Sequence, residues 1–192
     1  MSFDLKEYVK DKQIILVGNS NTLKVLKKGE FIDSYEIIIR FNLAMRYLNP
    51  EITGIKTDIW SYAMVKKHIC IDTYQKARYK PNVCLRYGPE KIALSQKNDE
   101  CFIPHPYKQE CKELLELEGT RKIPSSGFVL LYFISNYCSP KSITIIGFDS
   151  FQNPNFYTDF NSNAKFKWHD SEKESQYINS LQFSSRIPVK KI

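Results

Sequence analysis

The chain has 192 residues, of which 42% are hydrophobic and 26% charged, with a net charge of +7. A chain of this length buries roughly 70% of its unfolded surface around a core, and its composition excludes disordered, collagenous and coiled-coil classes. Its longest apolar run, Phe128 to Ile134, falls well short of the about 18–20 residues that a membrane span needs.

The chain opens Met1-Ser2-Phe3-Asp4-Leu5, without the apolar stretch of a secretory leader. Gln13-Ile14-Ile15-Leu16-Val17 is a β-rich apolar run that meets Gly18-Asn19-Ser20-Asn21 and then a helical segment, Thr22 to Lys28. A continuous apolar strand feeding a Gly/Asn turn and a helix is how a parallel α/β sheet begins. Further strands are expected at Tyr35–Ile39, Thr57–Tyr62, Asn82–Arg86 and Ser142–Gly147. Between them, Lys108 to Leu117 reads as an amphipathic helix and Gly127 to Tyr137 as a helix apolar almost all round, packed on the sheet. Asp149 to Lys167 reads as a long loop, and Ser171 to Leu181 as a polar helix. The alternation predicts an α/β fold, one doubly wound, mostly parallel sheet with helices on both faces, in one domain over residues 1–192.

The five cysteines, Cys70, Cys84, Cys101, Cys111 and Cys138, are odd in number and lack C-x-x-C spacing. With three histidines only, no zinc-finger pattern can be written. They read as reduced, mostly buried thiols, which points to the cytoplasm. The cationic surplus favours anionic partners without choosing among nucleic acid, phosphorylated small molecules, acidic glycans and membrane, and solvated lysines explain it equally well.

Four segments carry candidate chemistry. Gly18-Asn19-Ser20 stands at a strand's carboxyl end, where open α/β sheets bind ligands. It is neither a dinucleotide fingerprint nor a P-loop, and reads either as a ligand cradle or as a plain turn. Arg40-Phe41-Asn42 ends the next strand, and Arg40 there reads as a fork for a carboxylate or phosphate or as an ordinary ion pair. Pro124-Ser125-Ser126-Gly127 precedes the apolar helix as a cap or as an anion site at a helix N-terminus. His169, in Trp168-His169-Asp170, is a capping residue or a general base that works near neutral pH. His105, between Pro104 and Pro106, is a rigid-loop residue or a second candidate base.

In this order these segments resemble the large, small and very small sialyl motifs of the eukaryotic-type sialyltransferases, glycosyltransferase family 29. Val17-Gly18-Asn19-Ser20, Ile32 to Glu36 and Ile39 to Asn42 resemble the large motif. Pro124-Ser125-Ser126-Gly127, Cys138 and Ile146-Gly147-Phe148 resemble the small motif, and His169 with Glu174 the very small one. The likeness runs from about residue 13 to residue 180.

The resemblance implies a Rossmann-like, GT-A-variant fold and a CMP-sugar donor. It implies that Gly18, Asn19, Ser20, Asn42, Ser125, Ser126, Gly127 and Glu174 bind that donor, with His169 as the catalytic base. It implies inverting transfer of sialic acid to a hydroxyl of a glycan, lipid-linked glycans included, without metal or other cofactor; no Asp-x-Asp pair occurs. CMP-Kdo is the alternative donor, and an inactive nucleotide- or glycan-binding module is the alternative to an enzyme. Nucleic acid is not expected as a partner, because the aromatics lie inside apolar runs. Lys190 and Lys191 suggest peripheral contact with the inner face of a membrane.

The departures from the family pattern are specific. Gln13, Ile14 and Ile15 stand where the family has the partner of the small-motif cysteine, which suits a reducing compartment. Phe156-Tyr157-Thr158-Asp159 lacks the third motif's histidine. The chain thus reads as a short, anchor-free bacterial or viral relative.

Overall fold

All seven strands of the structure, a computed structural model that describes residues 3–62, 67–86, 100–102, 105–149, 152–156, 168–184 and 187–192, belong to one sheet in which every pairing is parallel. The strands are β1 (Gln13–Val17), β2 (Ile37–Phe41), β3 (Ile59–Tyr62), β4 (Val83–Arg86), β5 (Glu100–Phe102), β6 (Ser142–Ile146) and β7 (Val189–Lys191), in the spatial order β5-β4-β3-β2-β1-β6-β7. The order reverses direction at β1, so β1 and β6 flank the topological switch point, where a doubly wound sheet opens a crevice beyond its strand ends.

The sheet is buried on both faces, as its unbroken apolar strands require. Ile14, Leu16, Ile39 and Ile145 face one core, together with α1 (Leu5–Val9), α5 (His105–Leu114), α6 (Ser126–Tyr137) and α7 (Ser171–Ser184). Ile15, Val17, Ile38 and Ile146 face the other, beside α2 (Thr22–Leu26) and α3 (Gly29–Asp33). Trp60, Tyr62 and Cys84 extend that second core under α4 (Lys67–Lys76). α6 buries Phe128 to Leu131, Phe133 and Ile134, which explains a helix apolar almost all round.

Several boundaries differ from expectation for local reasons. β2 begins two residues later than the apolar pattern suggests. Tyr35 N–H turns back to Ile32 O (3.2 Å), and Glu36 gives its carboxylate to Gln13 N–H (2.9 Å) and Lys12 Nζ (3.2 Å). α5 starts and stops early, because Glu116 takes a left-handed conformation (φ 49°) and Leu117 N–H closes onto Lys112 O (2.8 Å). Among the expected loop residues, 152–156 cross the end of β1, with Asn21 N–H on Pro154 O and Phe156 N–H on Asn19 O, both 2.8 Å. Residues 150–151 and 157–167 of that loop, Tyr157 to Asp159 among them, lie outside the described residues.

Four cysteines, Cys70, Cys84, Cys111 and Cys138, are free and buried. Among the described residues no helix is long and apolar enough to cross a membrane. Lys190 and Lys191 lie on the edge strand β7, where lysines guard against further strand pairing, and Lys191 Nζ donates to Asn179 Oδ1 (3.2 Å).

Candidate active site

Beyond the carboxyl ends of β1, β2 and β6, the chain leaves a cleft of about 200 Å³. β1 contributes Gly18, Asn19 and Ser20; the end of β2 contributes Phe41 and Asn42; the start of α6 contributes Ser125, Ser126 and Gly127. Gly147, Phe148, Asp149, Asn153 and Asn155 follow β6, and His169, Glu174 and Ile178 enter from α7 and the residues before it. The nine site residues expected from sequence therefore line one cavity, although they come from four separate stretches of chain.

Local chemistry explains the convergence. A Cβ at position 18 would stand 2.2 Å from Gly147 O, so only glycine lets the ends of β1 and β6 approach this closely. Gly18 N–H donates to Ile146 O (2.8 Å) and Ser20 N–H to Gly147 O (3.2 Å). Asn42 holds φ at 50°, a left-handed conformation that asparagine tolerates better than most residues. Its carbonyl accepts the Trp60 indole N–H (2.8 Å), and Asn19 Nδ2 donates to Phe41 O (3.4 Å).

Ser125 is the N-cap of α6, its Oγ accepting Phe128 N–H (3.2 Å). The same residue is clasped by Glu174: Ser125 N–H donates to Oε1 (2.7 Å), and Oγ lies 2.6 Å from Oε2. Glu174 is 4% exposed. Burial pushes its carboxyl up to about 7, against the lowering effect of the Ser125 bonds and with help from Asp170. Ser126 and Gly127 occupy the first turn of α6, where backbone amides have no intrahelical acceptor.

His169 Nδ1 lies 2.7 Å from Ile123 O. A carbonyl only accepts, so Nδ1 carries the hydrogen and Nε2 carries the lone pair of the neutral ring. Asp170 accepts from Lys122 Nζ (2.7 Å) and Lys173 N–H (3.2 Å), which pins the start of α7 and lowers the Asp170 pKa.

Arg40 does not serve this cleft. It is 1% exposed. Its Nη2 donates to Thr53 O (2.7 Å) and lies 3.7 Å from Asp33 Oδ1, while Nε meets Lys56 O and Thr57 Oγ1 (both 3.0 Å). Arg40 therefore fastens residues 53–57 to β2, because its place in the strand turns it into the core between buried partners. Among the described residues, the charge-bearing side chains lining the cleft are Asp149, His169 and Glu174, and none is lysine or arginine.

Sequence reasoning missed Asp149, Asn153 and Asn155. Asp149 Oδ2 accepts Ser20 O–H (2.7 Å) and Asn153 N–H (2.8 Å), tying the β6 end to the β1 end. Its position two residues after Gly147, at a strand's carboxyl end, was the available signal. His105 opens α5, and its side chain lies outside the described residues.

The fold is that of a mammalian sialyltransferase of known crystal structure, with TM-score 0.67 and 17% identity over 96% of this chain and 71% of that one. The profile of glycosyltransferase family 29 (sialyltransferase) matches residues 9–91. The chain is 25% identical to CMP-N-acetylneuraminate-beta-galactosamide-alpha-2,3-sialyltransferase 1 of Pan troglodytes, over 96% of this chain and 60% of that protein. The type 2 enzyme of Mus musculus is also 25% identical, over 93% and 56%. The chain is thus similar to glycosyltransferase family 29 in sequence and to sialyltransferases in fold, and it spans about three fifths of the length of the relatives it matches.

Proposed function

We propose that the protein transfers sialic acid from CMP-sialic acid to a hydroxyl of a glycan acceptor, with inversion and without a resident metal. The observation that carries this reading is the single cleft at the switch point, lined by all nine residues that correspond to the family's motifs. Asn19 and Asn42 at the ends of β1 and β2 bind the nucleotide, and the first turn of α6 receives the phosphate, since a helix N-terminus favours an anion. His169, through Nε2, removes the acceptor proton as the sugar develops oxocarbenium character. Helix amides and hydroxyls stabilise the departing phosphate, work that elsewhere falls to a cation.

The absence of any Asp-x-Asp pair from the sequence supports the metal-free reading. The buried reduced thiols support work in the cytoplasm. Peripheral contact through Lys190 and Lys191 with a membrane bearing lipid-linked acceptors belongs to the same proposal.

CMP release from CMP-sialic acid, with and without chelator, tests this function, and a parallel assay with CMP-Kdo tests the donor. His169→Ala is expected to lose on the order of 10²–10⁴ in turnover while still binding CMP. Unchanged turnover would remove His169 from the mechanism. CMP binding without turnover on any acceptor would favour an inactive binding module.

A further inference from the structure

We propose that Glu174 is a proton-linked positioning residue of the donor site, taking one proton from solvent as the nucleotide phosphate enters and thereby turning the Ser125 hydroxyl hydrogen toward the ligand. The proposal rests on the donor reading above and adds a proton to it.

Glu174 lines the cleft, is nearly inaccessible to water and has both carboxyl oxygens on Ser125. No ion pair among the described residues includes it. The groups that face it do not supply a cation by ion pairing. Just before α7, Asp170 is an anion whose charge is held by Lys122 (2.7 Å), and it raises the Glu174 pKa. From α5, the Cys111 thiol is pushed up to about 12 by burial and by Glu110 and Glu174, and stays neutral. His169 and Asp149 line other walls of the same cleft. A phosphate arriving at the start of α6 would thus meet a buried carboxylate across the cap it must share. Like charges at such range in a poorly solvated site do not both stay ionised. Burial already holds the Glu174 carboxyl at about 7, so the proton goes there at little cost.

The hydrogen bookkeeping closes. With Glu174 ionised, Ser125 N–H and O–H both donate to it. With Oε2 protonated, Oε2–H donates to Ser125 Oγ, Oε1 still accepts Ser125 N–H, and Oγ still accepts Phe128 N–H. The Ser125 hydroxyl hydrogen is then released to a phosphate oxygen. One proton enters from water with the donor and returns to water when CMP leaves; no covalent bond other than O–H changes. Glu174→Gln reproduces the protonated arrangement, its amide N–H donating to Ser125 Oγ.

The test is calorimetric titration with CMP, across pH and in buffers of different ionisation enthalpy, of wild type and Glu174→Gln. Their difference cancels the titration of CMP itself and of His169. Wild type is expected to take up close to one proton more than the variant at about pH 8, and to lose affinity relative to it by about tenfold per pH unit above the carboxyl's pKa. In wild type alone, adding CMP at that pH is expected to raise a carboxylic-acid C=O band in the infrared difference spectrum, a readout that needs no variant to fold. Equal proton uptake with parallel affinity profiles, or the absence of that band on CMP binding, would overturn the proposal. Failure of both proteins to bind CMP at any pH would overturn the donor reading and this proposal with it.

Discussion

Two charged residues of this chain show how burial, not charge, decides a role. Arg40 reads in the sequence as an anion fork, yet its guanidinium spends its donors on Thr53 O, Lys56 O and Thr57 Oγ1. Burial lowers its pKa to about 10, still far above neutrality, so it remains a structural cation. Glu174 is shifted the other way, from the ordinary 4.5 to about 7, because burial penalises its charged form. The folded state therefore holds this proton more tightly than the unfolded state does. Its effect on stability is most favourable below about pH 4.5 and is lost as pH rises toward about 7, to a total of up to about 3 kcal/mol. In the ligand-free protein, the melting temperature of wild type is expected to fall across this window, and Glu174→Gln to lack that component. Thermal melts of both across pH check it; matching slopes would remove Glu174 from the stability profile.

Among the elements, the apolar strands and helices and the polar helix α7 were legible, and several short or weakly patterned elements were not. β1, β6 and α6 announce themselves, because unbroken runs of Ile, Leu, Val and Phe fit only elements buried on more than one side. β5 and β7 are three residues each, and β7 reads Val-Lys-Lys, which carries no periodicity to detect. α3 and α4 escaped for a similar reason, being short or weakly amphipathic. The site residues on strand ends and helix caps were legible through motif order. Asp149 and the asparagines after it were not, since their role arises from a loop folding back across β1. The strand-end glycines supply a test at this scale. Gly18→Ala would set a methyl against the Gly147 carbonyl, a backbone atom that cannot rotate away. It is expected to lower the unfolding free energy by more than about 2 kcal/mol and to weaken CMP binding, as read by urea titration and calorimetry. A neutral outcome would mean that β1 and β6 can part without loss.

For the whole molecule, the net charge of +7 does not converge on the cleft, whose described lining holds no lysine or arginine. At the surface, Lys27, Lys76 and Lys173 pair with nearby carboxylates and so add nothing to that surplus. Affinity for CMP is therefore expected to change little with ionic strength, unlike that of a binder that neutralises phosphates with cations. Titration at low and high salt checks it; a steep fall in affinity would mean that cations reach the ligand. The sheet order also sets when this site can exist. β1 sits between β2 and β6, and its partner β6 begins with Ser142, which pairs with Gln13 across most of the chain. On the ribosome, β1 can pair with β2 almost at once, but its other edge stays open until β6 emerges. Ser20 and Asp149, 129 residues apart, cannot meet before then. The nascent chain thus carries an apolar strand with one bare side until Ser142–Ile146 has emerged, and the cleft closes only after that.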